Sequence, residues 1–212
     1  DVPSVWRRSG LSPAALRRLA RADVFNSVGL GRRDAMWSVV GLGERPPPLF
    51  SNAMIEEETN ERSPIKLPAM PLSVEVVEDY ETLRLTLKCH PLELLKPQLS
   101  EVVSANRLLS LESGARHSVA GLVLCRQRPS SARGVCFLTL EDETGIANII
   151  VWPEKYEYFR RQILSARLMK VSGKIQSDGN VTHLIADEIE DLSVVLDELG
   201  SECQKSVESK SM

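Results

Sequence analysis

Arg126, Arg128 and Arg133 crowd into one short polar run, Arg126-Gln127-Arg128-Pro129-Ser130-Ser131-Ala132-Arg133-Gly134. A guanidinium presents a planar fork of donors that fits a phosphate and stacks on a base. Phe137 and Trp152, close by in sequence, would add aromatic faces for stacking. The simpler roles are a solvated loop for the arginines, core filling for Phe137, and a cover over one end of the core for Trp152. A second group, Arg17, Arg18, Arg21, Arg32 and Arg33, flanks the break Asn26–Gly31. Helix, glycine-bearing turn and helix can direct first-turn amides at phosphate, with such arginines alongside. The alternative is a helical packing unit whose arginines form its soluble face. Trp37 suits a core or a docking surface better than a base reader.

Chemistry beyond binding is not encoded. Glu141, Asp142 and Glu143 are consecutive, so in an extended chain they cannot converge on one ion. Turn formation and repulsion of misplaced polyanion suit them better. Asp187, Glu188, Glu190 and Asp191 read as a solvated face. His90, His117 and His183 are scattered, and Cys89, Cys125, Cys136 and Cys203 lack metal-ligand spacing. Without a phosphate loop, a nucleophile elbow or a convergent carboxylate pair, no catalytic residue and no metal site are expected.

The elements that must hold these residues follow from periodicity. In 1–43, Ser12 suits an N-cap and Pro13 the first helical position, with Leu16, Leu19 and Ala20 as an apolar stripe. A second helix is expected over 32–40, packing Ala35, Met36 and Val39. The stretch 44–115 reads as an extended linker with small helical pieces, one opening near Glu78-Asp79-Tyr80 and one at Pro91. Pro46-Pro47-Pro48 and Glu56-Glu57-Glu58 interrupt it. Residues 116–193 alternate as strands near 119–124, 135–140, 146–152, 168–175 and 181–189. A turn at Asp142–Gly145 joins the second and third, and a helix from Pro153 with Tyr156, Phe159 and Ile163 inward follows the third. Three strands, a helix and two strands is the order of a five-stranded OB-fold barrel. A short helical turn over Leu196 and Leu199 and a polar tail fill 194–212.

Formal charge is -3 over 212 residues. The average hides a basic first segment, an acidic middle and a balanced barrel. No apolar run approaches membrane length and no leader opens the chain, so a cytosolic, reduced setting is expected, with no membrane partner. The start at Asp1 suggests a piece of something longer.

The run from Arg126 to Gly145, followed by Asn148-Ile149-Ile150-Val151-Trp152-Pro153, resembles the C-terminal OB-fold region of bacterial C-family DNA polymerases, most closely the error-prone alpha-type subunit. Asp79-Tyr80 and His90-Pro91-Leu92 are similar to the segment that family places before its barrel. Gly10-Leu11-Ser12 through Leu19, with Phe25, Leu30, Arg32-Arg33 and Trp37, resembles its helix-hairpin-helix region. The resemblance implies DNA as partner, both single-stranded template and primer–template duplex, together with accessory mutagenesis proteins and the sliding clamp. It implies DNA synthesis past lesions by a full-length enzyme whose Mg²⁺-dependent palm would lie upstream, leaving this chain without a cofactor and inactive alone. A protein-interaction module with little DNA contact is the rival. Two positions depart from the family pattern: Arg84 stands where glycine is expected, and Cys89 where a small or polar residue is usual.

Overall fold

The computed structural model describes residues 1–42, 67–178 and 181–199. Two compact units divide the chain, Asp1–Thr86 and Leu87–Met212. Pro46-Pro47-Pro48, Glu56-Glu57-Glu58, Cys203 and the polar tail lie outside the described residues.

In the first unit, α1 (Val2–Ser9) is capped by the Asp1 carboxylate, which accepts from the Ser4 amide at 2.8 Å. Gly10 turns the chain with a left-handed backbone at φ 72. Helix α2 (Pro13–Arg21) then opens as expected, Ser12 Oγ accepting from the Ala15 amide at 3.2 Å. A 3-10 turn (Val24–Val28) leads through Gly29 to α3 (Arg32–Val40). Val2, Trp6, Leu16, Ala20, Phe25, Ala35 and Val39 form the core, with Leu19 and Met36 packed against it. Trp37 is not part of that core and stands exposed.

The helix expected to open at Glu78 is instead α4 (Leu72–Leu83), with Glu78-Asp79-Tyr80 in its interior. Pro71 is the N-cap residue of this helix, and Ser73, Val76 and Asp79 are its buried face. It closes on Arg84, whose φ of 64 is left-handed and whose amide donates to the Tyr80 carbonyl at 3.2 Å. This is the position where glycine was expected. A side chain there carries a penalty of about 1 kcal/mol that glycine avoids.

In the second unit, His90 caps α5 (Pro91–Leu95), its Nδ1 accepting from the Leu92 amide at 3.2 Å. A short helix α6 (Ala105–Leu108) precedes strand β1 (Arg116–Gln127). Strands β2 (Cys136–Asp142), β3 (Gly145–Val151), β4 (Leu168–Ser177) and β5 (Thr182–Asp191) complete a closed barrel in the order β1-β2-β3-β5-β4. Only the β3–β5 pairing is parallel among these. The helix expected after Pro153 is two short ones, α7 (Pro153–Tyr158) and α8 (Arg160–Ser165), broken at Phe159. Tyr156 and Ile163 are buried as expected. A helical stretch also covers 193–199, burying Leu199.

Leu138, Leu140, Ile149, Val151, Met169, Val171, Ile175 and Leu184 fill the barrel, and Ala105 and Leu108 join them. At Gly173 a Cβ would lie 1.8 Å from the Ile185 carbonyl oxygen, so β4 and β5 approach as only glycine permits. Phe137 differs from its expected core-filling role. Cys136, Leu138 and Leu140 take the inner face of β2, and strand alternation turns Phe137 outward.

Candidate nucleic-acid interface

Two of the three loop arginines hold the fold. Arg126 lies on β1, where its Nε donates to the Ile163 carbonyl at 2.5 Å and its Nη2 to the Ala166 carbonyl, closing the C-terminal end of α8. Arg128 places its guanidinium 4.1 Å from the centre of the Tyr156 ring and donates from Nε to the Gly134 carbonyl at 3.2 Å. Its Nη2 also reaches Glu157 at 3.4 Å. The β1–β2 loop is thereby fastened to α7 by cation–π and polar contacts. Arg133, left-handed at φ 49, is exposed at the end of a 3-10 turn and makes no ion pair with a described residue.

Trp152 precedes Pro153 as the N-cap residue of α7 and is 52% exposed. Phe137, 36% exposed, pairs across β2–β3 with Ile150 and across β1–β2 with Gln127. Ile150 in turn pairs with Ile185 on β5. An apolar strip therefore crosses the outside of the barrel, with no side chain of its own charge.

The first unit sorts its arginines more sharply. Arg32 and Asp79 are 3% and 5% exposed and form an ion pair, and Arg32 Nη1 also donates to the Glu75 carbonyl at 2.9 Å. Thr86 Oγ1 donates to the other Asp79 oxygen at 2.8 Å. Arg21 bridges Glu78 at 3.1 Å and Glu81 at 2.9 Å, and the Glu78 hydrogen bond raises the guanidinium's pKa above its ordinary value. Arg33 donates to the Pro68 carbonyl at 3.0 Å. Arg17 and Arg18 remain exposed on α2, with no ion pair to a described residue. Arg18 lines an open groove of about 600 Å³ together with Leu11, Leu19 and Glu81. The first turn of α3 has Gly31 at its N-cap and no side chain satisfying its amides.

Asp142 explains the acidic turn. Its Oδ1 accepts from the Thr144 amide and hydroxyl, both at 2.7 Å, and from the Gly145 amide at 2.9 Å. Its Oδ2 accepts from the Ala105 amide at 2.6 Å, tying the β2–β3 hairpin to the start of α6. Glu143 pairs with Lys96, and this hydrogen bond raises the lysine's pKa. Burial lowers the pKa of His90, against the opposing pull of Glu141, Glu143, Asp142 and Glu93. Burial raises the Cys136 thiol, keeping it protonated and unreactive. Among the described residues no group of three or more His, Cys, Asp or Glu could hold a metal ion. Nor is any described helix long and apolar enough to cross a membrane.

Two exposed groups on the short helices were not singled out in the sequence. Tyr158 is 80% exposed and Arg161 makes no ion pair with a described residue. Their signal was the i, i+3 spacing opposite the buried pair Tyr156 and Ile163.

An OB-fold nucleic acid binding domain family (tRNA_anti-codon) matches residues 117–192. An error-prone DNA polymerase of Ruegeria pomeroyi is 49% identical over 208 residues, which is 98% of this chain and 19% of that protein. Error-prone DNA polymerase 1 of Rhizobium meliloti is 44% identical over 211 residues, 97% of this chain and again 19% of the relative. The chain thus spans about a fifth of the length of these relatives. Among solved structures, asparaginyl-tRNA synthetase from Pyrococcus horikoshii aligns with 44% of this chain and 23% of its own, at 20% identity and a TM-score of 0.38.

Proposed function

Because this chain belongs with the C-terminal region of error-prone DNA polymerases, we propose that it supplies such an enzyme with DNA contacts and contributes nothing to nucleotidyl transfer. The observation that carries this reading is the outward turn of Phe137 beside Ile150, on a barrel whose family is described as nucleic acid binding. An aromatic ring exposed on a sheet face is a platform on which a base can stack. Charge comes from the periphery. Arg133 is available beside the barrel, and Arg17 and Arg18 are available on the helical unit. On this reading the barrel holds single-stranded template, and the helical unit, with the uncapped first turn of α3, meets duplex backbone.

The full-length enzyme would then copy damaged template in DNA repair, in the cytoplasm, and its Mg²⁺ would belong to a palm outside these 212 residues. A second reading has support of its own. Tyr158 is exposed beside Arg161 and Leu164, and such a surface suits docking of accessory mutagenesis proteins or a sliding clamp.

Fluorescence anisotropy with labelled single-stranded DNA at low salt tests the DNA reading. Wild type is expected to bind weakly, with affinity falling steeply as salt rises. Phe137→Ala should weaken binding by about 1–3 kcal/mol with little change in melting temperature. Absence of binding by wild type would sink the reading and favour the docking alternative. Primer extension by the chain alone is expected to give no incorporation.

A further inference from the structure

Helix α2 carries more apolar surface than its own core takes up. Leu16 and Ala20 are fully buried, while Ala15, Leu19 and Ala22 recur beside them at helical spacing and are only half-buried. A helix whose far side met water alone would carry polar residues at such positions. Together with Leu11, ahead of the helix, these three line the open groove of about 600 Å³. Arg18, Arg21, Glu81 and Thr82 complete the lining.

The polar groups around that floor are matched on one side only. Where α2 meets α4, Arg21 bridges Glu78 and Glu81, and Thr82 Oγ1 donates to the Glu78 carbonyl at 2.6 Å. Arg18 is exposed and makes no ion pair with a described residue. The same holds for its neighbour Arg17 and for Arg8, three positions ahead of Leu11. An aliphatic floor beside an unmatched guanidinium is complementary to an apolar side chain flanked by carboxylates. Nucleic acid fits it less well, because the floor offers no aromatic ring for a base and no donor for a phosphate.

We propose that this groove docks an acidic peptide segment of a partner protein. Its apolar side chains sit over Ala15, Leu19 and Ala22, and a carboxylate beside them pairs with Arg18. Arg17 and Arg8 add attraction at longer range. The apolar anchors supply affinity, and the arginines set the sign of charge that is accepted. The groove lies wholly within the helical unit and does not depend on the barrel's contact with DNA.

The test is fluorescence anisotropy at low salt on the whole 212-residue chain, with a labelled hexapeptide of two aspartates, leucine, phenylalanine and two aspartates. Wild type should bind this peptide, and should bind the version with serines in place of leucine and phenylalanine about tenfold more weakly. Arg18→Glu should weaken binding of the first peptide by about tenfold, and Ala15→Phe, which fills the floor, should weaken it as well. Arg107→Glu makes the same charge change on the barrel unit and should leave peptide affinity unchanged. Arg18 and Arg107 are both exposed, so the melting temperatures of these two variants should match wild type. Arg18→Glu therefore decides the matter even if Ala15→Phe does not fold. Equal affinity for the two peptides, or equal weakening by Arg18→Glu and Arg107→Glu, would reduce the effect to general charge and overturn the groove. Absence of peptide binding by wild type overturns it too, and duplex binding still weakened by Arg18→Glu would then assign that arginine to DNA alone.

Discussion

A guanidinium that already holds two carbonyls at a helix end has few donors left for a phosphate. Arg126 is in that position, so Arg126→Ala is expected to lower stability by about 1–2 kcal/mol in urea denaturation, with little change in DNA affinity. Arg17 and Arg18 are the opposite case. Replacing both with Ala should leave the melting temperature within error and reduce the slope of log K against log salt for duplex DNA by about 1.8, at roughly 0.9 per phosphate contact. A salt slope reduced by Arg126→Ala and untouched by the α2 pair would reverse these roles. Arginines that look alike in the sequence separate in this way because their partners are remote. Ile163 and Ala166 are brought to Arg126 by the barrel, and Asp79 is brought to Arg32 by α4. Arg84 is the reverse, a residue whose sequence departure was legible and whose cause was backbone geometry. Arg84→Gly should stabilise the helical unit by about 1 kcal/mol, measured as a raised denaturation midpoint.

At the scale of elements, local rules worked where a single face was apolar or a cap was explicit. Ser12, Pro13 and the stripe of α2 placed that helix, and alternation with the Asp142–Gly145 turn placed β2 and β3. They failed for Phe137 because a large aromatic suggests a core position, although its alternation with Cys136, Leu138 and Leu140 puts it on the outer face beside Thr139 and Glu141. They misplaced the start of α4 because the acidic pair in Glu78-Asp79-Tyr80 suits a first helical turn, although the helix begins after Pro71. The segment carrying α5 has a consequence of its own. His90 caps α5 as a neutral acceptor, and burial lowers its folded pKa, with Glu141, Glu143, Asp142 and Glu93 pulling the other way. The unfolded chain, near the ordinary value of about 6.5, binds the proton more readily. The stabilisation is therefore present above that value and is lost as pH falls through it toward the lowered folded pKa. His90→Asn keeps a capping acceptor and removes the titration. Between pH 8 and 5 the variant should lose less stability than wild type by chemical denaturation, and equal losses would remove His90 from the account.

For the whole molecule, two cores divide the labour. One is built on Leu16, Phe25 and Val39, and the other on Leu138, Ile149 and Met169. The sequence showed the barrel and the helical segment, and it left the division at Thr86 and Leu87 unmarked, since 44–115 reads as one connecting stretch. Helix α4 answers to the first core through the buried Arg32–Asp79 pair, a contact whose partners are 47 positions apart. The second core draws on residues ahead of its first strand. Ala105 and Leu108 close the barrel interior, and the Ala105 amide takes one oxygen of the Asp142 carboxylate.

The family match at 117–192 therefore falls short of the physical edge of the barrel. A fragment cut at those limits would open one end of the interior to water and strand a buried carboxylate oxygen. Relative to a fragment spanning 87–199, it should be less stable by about 3 kcal/mol or more, read as an earlier urea midpoint. Equal midpoints would show that α6 is dispensable. Anyone shortening this protein for crystallisation or for a minimal binding module should keep the unassuming stretch ahead of the strands, because the smallest self-sufficient piece begins well before the first visible β residue.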